Sequence, residues 1–279
     1  MNGLAAMRRL RALIVASHPG PSVAITAMTT LLAVRAAPDG WGPLLVAPAM
    51  LAGQLSVGWS NDASDAPRDA VAGRTDKPIV AGLVSARTVW VAAIVAVLAS
   101  LAMSLSISPA TAVIDVVVIG AGWAYNLGLK STPASGLMYL AGFAPIPAYA
   151  ASTLPGHPAP KWWLVVAAGL LGLGAHFANV LPDLVGDQTT GVNGLPQLVA
   201  ERWGAGAVRA AALTLLLAAS VLILVYGAFP PWAVLAGLAA AALLAVTGAR
   251  GQGRVPFLAA IAIAGIDVVL FAVGGAALT

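Results

Sequence analysis

Two polar motifs with identical spacing stand out in this chain of 279 residues. Each motif has an asparagine and two aspartates at helical spacing, followed by a glycine and a proline. The two sets are Asn61, Asp65, Asp69, Gly73 and Pro78, and Asn179, Asp183, Asp187, Gly191 and Pro196. Because the chain has only 10 acidic residues, the repeat favours a functional role over charge that only solvates helix ends. Mg²⁺ prefers carboxylate oxygens together with substrate phosphates, so the repeat predicts a metal site for a phosphate group.

The spacing also predicts how each motif is supported. Side chains four positions apart lie on one helix face, and two carboxylates placed so repel each other. A bound cation reverses that interaction, so we expect two facing polar stripes that hold Mg²⁺ ions with a diphosphate between them. Pro67 and Pro182 indicate kinked or ending helices, whereas Gly73 and Gly191 fit helix ends.

The two motifs differ in their basic neighbours. Arg68, Arg74 and Lys77 accompany the first motif, whereas Gln188 and Thr189 accompany the second. Arginine binds phosphate oxygens through two hydrogen bonds, and lysine acts as a point charge. We therefore expect the first loop to supply the cationic clamp for a diphosphate.

Composition predicts a membrane protein. Hydrophobic residues make up 60% of the chain and charged residues 9%, whereas a soluble domain has about 25% charged residues. The basic residues are scattered over short loops, which argues against a nucleic-acid partner, and the absence of cysteine excludes thiolate chemistry. A bilayer-spanning helix needs about 20 apolar residues. We therefore predict an all-α polytopic membrane protein, one domain over residues 1–279, with nine transmembrane helices around a central cavity. The predicted spans are 12–34, 42–60, 86–107, 109–128, 134–152, 162–181, 206–228, 231–248 and 256–276.

The loop charges predict the orientation of these spans. Of the 14 Lys and Arg residues, all except Arg35 and Lys161 fall on one side of the nine-span arrangement. Positively charged loops face the cytoplasm. This places the N-terminus and both motifs in the cytoplasm and the C-terminus outside, in the plasma membrane of a prokaryote.

The motif sequences resemble those of the UbiA superfamily of intramembrane prenyltransferases. N-D-A-S-D-A-P-R-D at 61–69 is similar to the N-D-x-x-D-x-x-x-D motif of that family, and 73–85 resembles the loop that follows it. The segment 183–196 resembles the second Asp motif of the family, and Tyr125 with Lys130 is similar to its Tyr-then-Lys segment. The resemblance covers nearly the whole chain.

The resemblance implies Mg²⁺-dependent transfer of an isoprenoid group from a polyprenyl diphosphate to an acceptor in the lipid bilayer, an aromatic compound or another small nucleophile whose identity is unknown. The metal ligands that it implies are Asn61, Asp62, Asp65, Asp69, Asp183 and Asp187. The substrate-binding residues that it implies are Asn61, Arg68, Arg74, Lys77, Lys130 and Asn179. The catalytic residues that it implies are Asp65, Asp69, Asp183, Asp187 and Tyr125.

The chain departs from the family pattern at two places. Residues 16–21 read A-S-H-P-G-P, without the arginine of many family members that act on carboxylated aromatic acceptors, and Val185 stands where an acidic residue is common. The first departure argues against an acceptor of the 4-hydroxybenzoate type.

Two other functions remain open at this point. One is a transporter with repeated halves, although the predicted stripes lie at span ends rather than at the midplane. The other is a metal-dependent lipid head-group phosphotransferase, although its denser Asp-Gly-Ala-Arg motif is not found. Four ionisable residues outside the motifs, near or within the predicted spans, have no assigned role: His18, Asp115, His176 and Asp267.

Overall fold

The structure is a computed structural model that describes residues 2–37, 40–182, 184, 191–251, 253–274 and 277–279. Every regular element in these ranges is helical, which confirms the all-α class. By its internal contacts the chain divides into two compact units, Met1–Leu127 and Gly128–Thr279. The single domain over residues 1–279 stays a prediction.

The first unit is built on a long helix that carries the first motif. Its helices are α1 (Asn2–Ala16), α2 (Pro19–Ala36), α3 (Gly42–Val71), α4 (Ala86–Ile107) and α5 (Pro109–Asn126). Helix α3 packs against the other four. The α1–α2 corner rests directly on α3, because a Cβ atom at Gly58 would collide with the carbonyl group of Ser17.

A buried carboxyl group ties α4 to α5. Asp115 of α5 is fully buried, and its Oδ2 lies 2.8 Å from Ser100 Oγ and 3.0 Å from Ser104 Oγ of α4. Ser100 Oγ also lies 2.7 Å from the carbonyl oxygen of Ala49 in α3. Only Ser108 separates the two helices in the chain. Asp115 therefore has a structural role in the contact among three helices.

The second unit carries the second motif between two of its helices. It begins with a 3₁₀ helix, η1 (Leu129–Ser131). Its α-helices are α6 (Ser135–Phe143), α7 (Ile146–Ala151), α8 (Trp162–Val180), α9 (Leu195–Trp203), α10 (Ala205–Tyr226), α11 (Pro231–Arg250) and α12 (Val255–Val273). Helix α8 packs against α6, α10 and α12. Asp267 of α12 is fully buried and accepts a hydrogen bond of 2.6 Å from Ser220 of α10.

Among the described residues, four helices are long and apolar enough to cross a membrane: α4, α8, α10 and α11. The number of nine spans is therefore not confirmed. Two of the predicted spans are also interrupted. The span 12–34 breaks at His18, whose φ is 52°, because the residue before a proline is disfavoured in a helix. The span 134–152 breaks after Phe143, where Pro145 and Pro147 lack the N–H groups that would continue it.

Candidate active site

The first motif occupies the last turns of α3. Helix α3 continues through Pro67 and ends after Val71. Gly73 then adopts a φ of 66°, its N–H donates to Ala70 O at 3.2 Å, and the N–H of Arg74 donates to Asp69 O at 2.9 Å. These bonds form a Schellman motif, which confirms Gly73 as a helix end and reverses the direction of the chain.

After this turn the chain returns along α3. Val84 and Val89 form a buried apolar cluster with Ala63 of α3 and Ala12 of α1, and Ile79 packs against it. This cluster fixes the loop beside the polar end of α3. The basic side chains of the loop are consequently held near the carboxylates of the motif.

Asp65 and Asp69 are both nearly buried, with exposed fractions of 9% and 8%. Arg68 Nη2 lies 3.1 Å from Asp65 Oδ2. Burial raises the pKa of the Asp69 carboxyl above its usual value against the opposing charge of Lys77, and the negative charge of Asp65 adds to the rise. An ionised Asp69 is therefore costly in the free protein, and a cation beside it would relieve that cost.

Asp62 lies one residue after Asn61, and two basic side chains lie beside it. Lys77 Nζ donates a hydrogen bond of 2.8 Å to Asp62 Oδ1, and His18 Nε2 lies 3.7 Å from the same oxygen. Burial alone would raise the pKa of Asp62, but the interactions with His18 and Lys77 outweigh it and lower that pKa. The structure thus joins Lys77 to α3 through Asp62, and the role of Asp62 as a metal ligand stays a prediction.

Arg74, the remaining basic residue of the loop, pairs with an acid of the same loop. It forms two hydrogen bonds of 3.0 Å with the carboxylate of Asp76, and both side chains are largely exposed. Arg74 is therefore held at the surface of the loop.

Asn61 contacts a residue of α5 that the sequence did not single out. Its Nδ2 donates to Asn126 Oδ1 at 3.1 Å. Asn126 is buried and follows the half-buried Tyr125. Asn126 and His18 are thus the two site residues that the motifs missed. No local signal marks Asn126, whereas His18 precedes Pro19 and so occupies a position that is disfavoured in a helix, a signal that the predicted span 12–34 did not use.

The second motif begins at the end of α8. Asn179 is exposed on the last turn of this helix, and Leu181 and Pro182 form a turn. Helix α8, which carries Asn179, ends at Val180. Asp183, Asp187, Gln188 and Thr189 lie outside the described residues, and Gly191 has a φ of 78°.

Beyond the second motif, Ser135 of α6 anchors the start of α9. Its Oγ accepts a hydrogen bond of 2.8 Å from the N–H of Leu195 and lies 3.0 Å from His176 Nε2. The ring of His176 stacks on Tyr139 with centroids 4.3 Å apart. His176 is thus a buried residue that connects α8 to Ser135 and Tyr139 of α6. Lys130 lies in η1 at the start of the same unit.

The model of the UbiA prenyltransferase family matches residues 22–254 of this chain. The chain belongs to that family. The match confirms the resemblance drawn from the motifs. Members of the UbiA family are integral membrane proteins.

Solved structures of UbiA homologs share this fold at low sequence identity. The homolog from Archaeoglobus fulgidus bound to GPP and Mg²⁺ has a TM-score of 0.71 and 13% identity, over 93% of this chain and 98% of that chain. The apo homolog from Aeropyrum pernix K1 has a TM-score of 0.70 and 19% identity, over 89% of this chain and 94% of that one. A structure from work on digeranylgeranylglyceryl phosphate synthase in membranes has a TM-score of 0.68 and 17% identity, over 95% and 98%. No curated protein matches the chain.

The oxygen atoms of the first motif suit the metal seen in the A. fulgidus UbiA homolog. Mg²⁺ takes carboxylate and carbonyl oxygens and keeps part of its water. Asp65 and Asp69 supply carboxylates, and Asn61 Oδ1 accepts no hydrogen bond within the described part of the chain. In that part, no three His, Asp or Glu side chains form a ready-made metal cluster. The donor chemistry therefore fits Mg²⁺ bound together with water and phosphate oxygens rather than by a cage of protein ligands.

Proposed function

We propose that this member of the UbiA family transfers an isoprenoid group from a polyprenyl diphosphate to an electron-rich acceptor in the membrane, with Mg²⁺ as cofactor. The observation that carries the proposal is the end of α3, where the nearly buried Asp65 and Asp69 lie among the cations Arg68 and Lys77. The family match supports prenyl transfer, and the A. fulgidus homolog binds GPP and Mg²⁺.

Each part of the first motif has a task in this reaction. Asp65 and Asp69, with Asn61 through its Oδ1, hold the metal. Bound Mg²⁺ supplies positive charge that stabilises the departing diphosphate. Lys77 and Arg68 donate hydrogen bonds to phosphate oxygens as the allylic C–O bond breaks and its electron pair leaves with the diphosphate.

The allylic cation left behind is attacked by the acceptor, which forms the new bond to the isoprenoid carbon and then loses a proton to an oxygen of the released diphosphate. The ring face of Tyr125 stabilises positive charge nearby, and an apolar, water-poor setting protects the cation from hydrolysis. Four further residues belong to the proposal through the family resemblance. Asp183 and Asp187 bind metal, and Asn179 and Lys130 bind the donor.

The orientation of the chain in the membrane, and the identity of that membrane, are also part of this proposal. The N-terminus and both motifs face the cytoplasm and the C-terminus lies outside, in a prokaryotic plasma membrane. The asymmetry of the loop charges supports this orientation, and the four long apolar helices support insertion in a bilayer. A donor made in the cytoplasm then reaches the motifs from that side.

The test uses the purified full chain in lipid nanodiscs with prenyl diphosphates of increasing length. A membrane lipid extract and a set of phenols and polyols serve as acceptors. We expect Mg²⁺-dependent release of diphosphate, loss of that release with EDTA or in Asp65→Asn, and a prenylated product detected by mass spectrometry. Diphosphate release without Mg²⁺, or no release with any donor, would contradict the proposal. Uptake of intact donor into sealed vesicles would instead indicate a transporter.

A further inference from the structure

The orientation of the Asn126 amide follows from its hydrogen bonds. Its Nδ2 donates to the carbonyl oxygen of Val57 at 2.9 Å and to Ser60 Oγ at 2.8 Å. A carbonyl oxygen only accepts hydrogen bonds, so the opposite placement of the amide would set two oxygens against each other. The Nδ2 atom of Asn126 therefore faces α3, and both of its protons are used.

This orientation determines the orientation of Asn61 in turn. Asn126 Oδ1 can only accept, so Asn61 must present its Nδ2, at 3.1 Å. An amide has its donor nitrogen and its acceptor oxygen on opposite branches. With Nδ2 bonded to Asn126, Asn61 Oδ1 faces away from Asn126, and it accepts no hydrogen bond within the described residues.

Small and polar residues bring α5 close enough for this contact. One turn before Asn126, a Cβ atom at Gly122 would lie 2.7 Å from a methyl carbon of Val57. Trp123 Nε1 donates to Ser56 Oγ at 3.2 Å on the same contact. Since Gly122 and Asn126 are one turn apart, the close approach at Gly122 lets the Asn126 side chain reach the Val57 carbonyl.

We infer that Asn126 is a positioning residue for prenyl transfer, which sets the Asn61 amide so that Oδ1, the atom that can bind a cation, is the one available to Mg²⁺. The inference rests on the proposed function, since it requires Asn61 to be a metal ligand. Without Asn126 the Asn61 amide rotates, and for part of the time it presents its N–H groups, which repel a cation. Partners that orient metal ligands contribute on the order of 10–100-fold in metal affinity.

The experiment measures metal binding directly. Mn²⁺ binding to the purified full chain in nanodiscs, with inorganic diphosphate present, is followed by electron paramagnetic resonance for wild type, Asn126→Ala, Asn61→Ala and the double variant. We expect Asn126→Ala to weaken Mn²⁺ binding about tenfold. In the Asn61→Ala background, Asn126→Ala should weaken Mn²⁺ binding less than about twofold further. Asn126 acts on the metal only through Asn61, so the effects of the two substitutions do not add. Equal effects in both backgrounds would overturn the inference.

Ser56→Ala is the matched control for a merely structural role. It removes the acceptor of the Trp123 hydrogen bond on the same α3–α5 contact and leaves Asn61 and Asn126 intact. We expect it to lower the thermal unfolding temperature about as much as Asn126→Ala without changing Mn²⁺ binding. Weakened binding in Ser56→Ala would show that loosening the helix contact is sufficient, which overturns the inference. Should Asn126→Ala fail to fold, Asn126→Ser removes the same contact to Asn61 and leaves a hydroxyl group beside Val57.

Failure of this inference differs from failure of the proposed function. If Mn²⁺ binding depends on Asn126 through Asn61 as expected, but wild type releases no diphosphate from any prenyl donor, the positioning role stands and prenyl transfer falls. If wild type releases diphosphate and Asn126→Ala binds Mn²⁺ as tightly as wild type, prenyl transfer stands and the positioning role falls.

Discussion

The first copy of the motif lies on a helix that continues past it, whereas the second copy begins where its helix ends. Helix α3 extends beyond Asp69 to Val71, although Pro67 lies within it. Helix α8 ends at Val180, directly after Asn179. The helix that carries the first copy therefore continues through an internal proline, whereas the helix that carries Asn179 ends two residues before Pro182, as is common before a proline.

The copies also differ in the ion pair that accompanies the first one. Asp62 follows Asn61, whereas Val180 follows Asn179. Lys77 donates a hydrogen bond to Asp62. The corresponding positions of the second copy are Val180 and Leu195, so this ion pair has no counterpart there. A cation held in place by a buried partner loses less freedom when it binds a phosphate. In the proposed reaction the first copy therefore holds the charged donor as well as a metal.

The largest expected effect tests whether the copies share their metal chemistry despite this difference. Asp65→Asn and Asp183→Asn should each lower turnover by on the order of 10²-fold or more, since each removes a main electrostatic stabiliser of the departing diphosphate. Both proteins should fold, because each loses one charge from a repelling pair. Glu201→Gln, an exposed acid of α9, serves as the control. Near-normal turnover in either aspartate variant would show that its copy is not part of the metal site.

The next effect concerns Lys77, the cation held by Asp62 in the first copy. Lys77→Ala should raise the apparent donor constant about tenfold or more, because a hydrogen bond to a charged group contributes roughly 1.5–3 kcal/mol. Gln188→Ala, in the second copy, should do less, and Lys77→Arg should retain most of the affinity. Donor affinity is measured for all three variants at saturating Mg²⁺. An equal or larger effect at Gln188 would show that the basic loop serves mainly to orient the protein in the membrane.

A smaller effect separates the two roles of Asp62. If Asp62 holds Lys77, Asp62→Asn should raise the donor constant and leave Mn²⁺ affinity within about twofold of wild type. Asp65→Asn should weaken Mn²⁺ binding about tenfold or more, as expected for loss of a metal ligand. Electron paramagnetic resonance gives the Mn²⁺ affinity of each variant, and the dependence of diphosphate release on donor concentration gives the donor constant. Equal weakening by the two variants would instead make Asp62 a metal ligand, as the motif predicts.

The mildest change tests whether both copies face the cytoplasm. The chain has no cysteine, so Thr75→Cys and Asn193→Cys each introduce a unique label site at an exposed position. Both variants should retain activity and react with a membrane-impermeant maleimide only after the cells are opened. Labelling of intact cells at either position contradicts the proposed orientation.

Apolar length predicted most helices of this fold well. The spans predicted at 86–107 and 162–181 match α4 and α8 to within a residue, since composition alone decides where a long apolar helix can form. The failures lie at prolines. The break at His18 and the break after Phe143 were hidden inside apolar runs, because hydropathy does not register a missing N–H group or a positive φ.

The site was predictable as a set of residues and not as a set of contacts. The motifs supplied Asp65 and Asp69 from spacing alone. The partnership of Asp62 with Lys77 depends on a chain reversal at Gly73, and that of Asn61 with Asn126 depends on the approach of a different helix. Contacts of this kind arise from packing between segments distant in sequence, which periodicity within one segment does not record.

Asp115 is fully buried between α4 and α5, and a buried carboxyl group is stable only where hydrogen bonds compensate its lost hydration. Ser100 has one hydroxyl proton, yet its Oγ lies within hydrogen-bond distance of both Ala49 O and Asp115 Oδ2. The hydroxyl group of Ser100 is therefore shared between an acceptor on α3 and an acceptor on α5, and Ser104 donates to the same oxygen of Asp115. Only Ser108 separates the helices that carry these groups. Helices α4 and α5 therefore form a hairpin whose polar contacts are local in sequence, and local contacts need little loop closure to form during folding.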